Sequence, residues 1–149
     1  MYLYLVRHGE AEGGLDDFKR RLTPRGVEDV KKIGLELKAR KIYPTRIFHS
    51  PKKRAIMTAE IIASTIGTEI TVEETDGLRP SNAPEIWEER LRETRSDIML
   101  VGHMPHMPAL ASLLLTGDED EALIEFRTAT VLCLRKDGEE YFEEWKISP

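Results

Sequence analysis

Apolar residues in this chain recur in two rhythms, alternate or continuous over short runs and helical over longer ones. Their order predicts strands interleaved with helices. Residues 2–6 form a short apolar run bounded by Gly9, the pattern of a strand buried on both faces. Gly13-Gly14 and Asp16-Asp17 then mark an irregular loop. Thr23 reads as a helix N-cap with Pro24 at the first helical position. Val27, Val30, Ile33 and Leu37 follow at helical spacing, with Glu28, Lys31, Lys32 and Lys38 on the opposite face, which predicts an amphipathic helix to about Arg40. A second short strand covers residues 46–49. Ser50-Pro51 repeats the cap-then-proline start, and Ile56, Ala59, Ile62, Ala63 and Ile66 supply a stripe that Gly67 ends.

Residues 69–72 read as a third strand, followed by a turn-rich loop with Gly77, Pro80, Asn82 and Pro84. A polar helix over 84–95 can bury Ile86, Trp87 and Leu91 along one edge. Residues 98–101 make a fourth strand running into Gly102-His103, and 108–115 an apolar helix closed by Thr116-Gly117. Finally, strands over 124–134 and 141–147 flank Lys136-Asp137-Gly138, whose Asp-Gly pair favours a hairpin. The order predicts an α/β fold: a three-layer α/β/α sandwich with a mostly parallel sheet and an antiparallel C-terminal edge. No repeat or linker divides it, so residues 1–149 are expected to form a single domain.

Charge changes this picture in one respect. The 27 acidic residues outnumber 22 basic ones, a net charge of −5 that disfavours nucleic acid as a partner. The basic residues are nevertheless grouped, as Arg7, Lys19-Arg20-Arg21, Arg25 and Lys52-Lys53-Arg54, near the ends of predicted strands. A local positive funnel of that kind draws in an anionic substrate. The single cysteine, Cys133, excludes an internal disulfide and is expected to pack within its strand. No leader peptide is recognisable, and no run approaches the roughly 20 apolar residues of a membrane span. A cytoplasmic protein without membrane association is expected.

Ligands of open α/β sheets sit at the carboxyl ends of the strands. Three segments fall there: Arg7-His8-Gly9, Ser50 to Arg54, and Gly102-His103. A neutral imidazole is a competent nucleophile towards phosphorus, and a guanidinium matches phosphate oxygens with a rigid fork of donors. Arg54 would lie in the first turn of its helix, where free N–H groups also favour an anion. Cations beside His8 should lower its pKa and keep it neutral. Gly9 and Gly102 would let the backbone turn closely at the pocket. His103-Met104-Pro105-His106-Met107 invites a metal reading, but its two prolines punctuate a loop, and neither a metal nor a cofactor is expected. His49 and His106 read as loop residues near the pocket. Glu10 is the carboxylate nearest the nucleophile in sequence.

These segments, with Leu22-Thr23-Pro24-Arg25-Gly26, Lys53-Arg54-Ala55, Thr58-Ala59 and Val101-Gly102-His103, resemble in order and spacing the histidine phosphatase superfamily, also called phosphoglycerate mutase-like. The small size narrows the likeness to its SixA-type phosphohistidine phosphatases. The resemblance implies that His8 is a nucleophile forming a covalent phosphohistidine, and that Arg7, Arg54 and His103 surround the phosphoryl group. Gly9, Glu10, Ser50 and Gly102 are the accompanying substrate-binding candidates. The implied partner is a phosphorylated protein of the histidine-containing phosphotransfer type, or else a small phosphorylated substrate. One departure matters: many members carry an acid in a Leu-Arg-Glu-like segment, where this chain has Leu78-Arg79-Pro80. Glu73, Glu74 and Asp76 are nearby substitutes, although solvated loop acids are the simpler reading. Two competing functions stand beside this one, a small-molecule phosphomonoesterase and a non-catalytic phosphate-binding module. Binding alone would need no nucleophile.

Overall fold

The first strand, β1 (Tyr2–Arg7), sets the layers. Its Leu3 and Leu5 are buried on one face and its Tyr4 and Val6 on the other, so both faces require a cover. On the Tyr4–Val6 side the cover is α1 (Pro24–Ala39) and α2 (Lys53–Ile66), through Val30, Ile33 and Leu37 of the first and Ala55, Ala59 and Ile62 of the second. On the Leu3–Leu5 side it is α3 (Glu85–Arg92) and α4 (His106–Thr116), through Trp87, Leu91, Met107 and Leu110. This computed structural model describes residues 1–67 and 69–149.

The remaining strands are β2 (Arg46–His49), β3 (Thr71–Glu74), β4 (Ile98–Gly102), β5 (Val131–Asp137) and β6 (Glu140–Ile147). They form one six-stranded sheet in the order β3-β2-β4-β1-β5-β6. β1, β2, β3 and β4 are parallel, whereas β5 runs antiparallel to both β1 and β6. The expected sandwich and antiparallel edge are both present. Register carries the functional consequence. Arg7 pairs with Gly102 and His49 with Val101, so the carboxyl ends of β1, β2 and β4 finish side by side. Among the described residues, no helix is long and apolar enough to cross a membrane.

Thr23 caps α1 as its sequence suggests, its Oγ1 accepting from Gly26 N at 2.9 Å. Other boundaries move for identifiable reasons. The α2 helix starts at Lys53 with Lys52, not Ser50, at the N-cap; an ammonium has no lone pair to offer the free N–H groups, so there is no side-chain cap. The α4 helix starts at His106 rather than 108: Pro108 is its third residue, where a backbone N–H has no partner to lose. Edge strand β3 is shifted two residues, so Glu73 and Glu74 belong to the strand rather than to a loop. An edge strand facing water carries little apolar signal. The α3 helix stops at Arg92, short of the expected 95. β5 begins only at Val131, because Ala129 adopts φ 60° and donates its N–H to the carbonyls of Arg7 and His8. Residues 124–130 therefore buttress the end of β1 instead of extending the sheet.

Gly26 explains the glycine that follows Pro24-Arg25. A Cβ there would overlap the Glu10 carbonyl oxygen, so α1 presses directly on the loop that carries His8. Gly26→Ala should destabilise the fold by about 1–3 kcal/mol, the cost of overpacking against backbone that cannot yield. A urea unfolding midpoint lowered at unchanged slope is the expected readout.

Candidate active site

Three elements deliver the candidate side chains to one place: β1 ends at Arg7 with His8 directly after it, β4 ends at Gly102 with His103 directly after it, and the first turn of α2 supplies Arg54. His8 N donates to Gly102 O at 3.1 Å, fastening the two strand ends together. The His8 ring is buried, with Nδ1 2.6 Å from Gly9 O. A carbonyl oxygen only accepts, so Nδ1 carries the proton and Nε2 keeps its lone pair. Burial is the largest cause holding His8 down to about 4; Arg54, Arg7 and Arg20 add to it, while the Gly9 carbonyl opposes. The sequence suggests cations as the cause; desolvation comes first.

Gly9 N donates to Thr58 Oγ1 at 3.0 Å, and that hydroxyl donates to Arg54 O at 2.8 Å. The fully buried Thr58 thus links the loop after β1 to α2. Gly9 and Gly102 are needed for packing rather than for turning, since neither adopts a positive φ. A Cβ at Gly9 would sit 2.8 Å from Val30 Cγ2, and one at Gly102 2.9 Å from Met107 Cε.

His103 is buried, its ring centroid 5.1 Å from that of His8 at an interplanar angle of 54°. Its Nε2 lies 2.5 Å from the buried Ser50 Oγ, which accepts from Lys52 N at 3.3 Å. The hydroxyl can donate to Nε2, which leaves the ring proton on Nδ1, or accept from a protonated Nε2 through its second lone pair. That Nδ1 has no partner among the described residues. Burial, then His8, Arg54 and Lys52, push His103 down to about 2. Arg54 donates from Nη1 to Asp17 O at 2.8 Å, and its Nη2 lies 3.4 Å from Asp17 Oδ1. Arg7 Nη1 donates to Phe126 O at 2.9 Å, and its buried Nε is also without a partner among the described residues. Burial lowers the pKa of both arginines, which stay protonated. Unpaired buried donors are costly, and a ligand oxygen would satisfy them.

The other carboxylates lie elsewhere. Glu10 Oε2 is 3.9 Å from Arg25 Nε, while its backbone carbonyl accepts from Thr23 N at 3.0 Å. Glu73 meets Arg46 at 3.4 Å, and Asp76 meets Arg90 at 2.8 Å, which holds its carboxyl below the usual range. Glu74 closes the edge strand β3. His49 is the last residue of β2 rather than a loop residue, its Nδ1 2.9 Å from Ser50 O, and both nitrogens of His106 are buried without partners among the described residues, in a helix rather than a loop. Among the described residues no three His, Cys, Asp or Glu side chains gather as metal ligands. Cys133 packs beside Tyr4, and burial pushes its thiol up to about 12.

Residues the sequence left unassigned complete the cluster. Asp17, in a short 3₁₀ turn (Asp17–Lys19), pairs with Arg54, Arg20 and Lys52. Arg20 and Lys52 were legible as basic clusters, and Thr58 as part of a motif. Asp17 sits in a turn with no periodicity to mark it.

The fold defines a phosphoglycerate mutase-like α/β sandwich. The chain belongs to the histidine phosphatase superfamily (branch 1), whose sequence profile matches residues 3–97, and it is thereby a phosphatase-class enzyme. Among solved structures it is similar to the protein histidine phosphatase SixA complexed with tungstate, with TM-score 0.91 and 23% identity, covering 99% of this chain and 97% of that one. A SixA phosphohistidine phosphatase candidate from Agrobacterium tumefaciens is similar with TM-score 0.84 and 22% identity, over 99% and 97% of the two chains. A phosphoserine phosphatase variant from Entamoeba histolytica, in complex with phosphoserine, has TM-score 0.68 and 15% identity, over 97% and 95%. No curated protein matches the chain in sequence.

Proposed function

We propose that the protein is a metal-independent phosphohistidine phosphatase acting on a phosphorylated protein of the histidine-containing phosphotransfer type. The observation that carries this reading is His8: buried, neutral, with Nδ1 tied to Gly9 O and Nε2 free, beside Arg54 and His103. In the first step the Nε2 lone pair attacks phosphorus and the P–N bond to the substrate imidazole breaks. The departing ring takes a proton from solvent. In the second step water attacks the phosphohistidine, releasing inorganic phosphate and restoring His8. Arg7, Arg54 and the His103 Nδ1–H stabilise charge on the equatorial oxygens. In this mechanism Ser50 donates to His103 Nε2, which leaves the ring proton on Nδ1, and Thr58 ties the loop that orients His8.

The P–N preference rests on the acid. Pro80 stands in the segment where many relatives place a proton donor, and Asp17, which does contact the cluster, is held ionised by Lys52, Arg54 and Arg20. A cytoplasmic location is part of this proposal. A turnover panel of phosphohistidine peptides, phosphoserine peptides and small phosphate esters tests it. Preference for phosphohistidine supports it, preference for small esters favours a phosphomonoesterase, and binding of phosphate without turnover of any compound favours a non-catalytic module. Activity should also survive exhaustive chelation, since basic side chains already neutralise the phosphoryl oxygens. Loss on chelation with recovery on adding a divalent cation counts against metal independence.

A further inference from the structure

Asp17 is held by three cations at once. Its Oδ1 lies 3.1 Å from Arg20 Nη1 and 3.4 Å from Arg54 Nη2, its Oδ2 accepts from Lys52 Nζ, and its backbone carbonyl accepts from Arg54 Nη1 at 2.8 Å. The Lys52 and Arg54 side chains are only 12% and 6% exposed, so water offers them little alternative. The turn itself does not need this carboxylate. It is closed by Lys19 N donating to Asp16 O and Phe18 N donating to Asp16 Oδ1. Phe18 in turn packs beneath two cations, with Lys52 Nζ 5.3 Å and Arg79 Cζ 5.4 Å from its ring centroid.

We propose that Asp17 is a positioning residue for phosphoryl transfer, holding Arg54, Arg20 and Lys52 together where the phosphoryl oxygens arrive. The role rests on the phosphatase reading above. Three cations brought close without a counter-ion repel one another and splay, whereas stabilisation of a transition state depends on donors that are in place beforehand. Asp17 supplies the counter-ion in the free enzyme. The hydrogen bond from Lys52, helped by Arg54 and Arg20, holds its carboxyl well below the usual range, so it remains an anchor and not a proton donor. The backbone carbonyl keeps one end of the Arg54 fork fixed whatever the carboxylate does, which leaves the rest of the guanidinium to face the ligand.

A displaceable placeholder would behave in the opposite way, because removing it would free the cations for substrate. Asp17→Asn and Asp17→Glu in the full chain separate the two. The readouts are kcat and KM on p-nitrophenyl phosphate, the affinities for inorganic phosphate and vanadate, and Tm. Positioning predicts that Asp17→Asn lowers kcat by about tenfold to a hundredfold, less than the 10²–10³ typical of deleting a preorganised donor. Vanadate affinity should fall by a similar factor, KM and phosphate affinity should change less, and Asp17→Glu should recover part of the loss. Tighter phosphate binding with kcat unchanged overturns the proposal, as does a lower Tm with kcat and vanadate affinity intact. Should the wild-type protein turn over no phosphate compound, the phosphatase reading fails while vanadate binding still decides on Asp17: weaker binding supports it and tighter binding overturns it.

Discussion

His8→Ala is expected to abolish turnover, with a loss on the order of 10⁶, the scale seen when a hydrolase loses its covalent nucleophile. The other ring beside it, His103, is held through its Nε2 by Ser50 and cannot turn that nitrogen to phosphorus. The change removes a buried ring but leaves the backbone link from His8 N to Gly102 O, so the protein should still fold. Wild-type protein quenched during turnover of a radiolabelled substrate should carry label that survives alkali and is lost in acid, as a phosphohistidine does. His8→Ala should carry none. The pH dependence has a defined sign. Protonating Nε2 removes the nucleophile, so kcat/KM falls on acidification, and with His8 held at about 4 the fall belongs near that pH, not near 6.5. From about pH 7 to about pH 5 the His8 contribution should stay nearly flat. A correctly folded His8→Ala protein with near wild-type rates would rule out the double displacement.

The second large effect concerns the leaving group. Expelling an alkoxide from a serine or sugar phosphate needs a proton delivered to oxygen, a contribution of about 10²–10⁴-fold. An imidazole protonated from solvent leaves as a neutral ring and needs no enzyme acid. With Asp17 held ionised and Asp76 paired to Arg90, turnover of phosphohistidine should exceed that of phosphoserine by about that same 10²–10⁴. Aryl phosphates, whose leaving groups are good, should fall between. The comparison is of kcat/KM on peptides matched in sequence. Equal values for phosphoserine and phosphohistidine would move the assignment to a small-molecule phosphomonoesterase and make a carboxylate such as Glu74 the group to examine.

Much of this molecule was readable along the chain. The parallel core of the sheet, the amphipathic α1 and the Thr23 cap follow from local periodicity and local hydrogen bonding, which are properties of neighbouring residues. The convergence of Arg7-His8, Arg54 and His103 was readable too, because parallel strands place their carboxyl ends at one edge whatever their order in sequence. Edge and terminal features were not. The limits of β3 and β5 depend on exposure and on the φ of Ala129, neither of which an apolar pattern encodes. The protonation of His8 and His103 likewise depends on burial and on contacts to Gly9 and Ser50, set by how the layers close. Asp17 is the clearest case. It lies in a short 3₁₀ turn and meets Lys52, 35 residues further along the chain, only when that turn folds onto α2. Residue type and spacing carry short-range information; which carboxylate finds which cation across the fold is decided by tertiary packing, because ion pairs act over a few ångströms of space rather than of sequence.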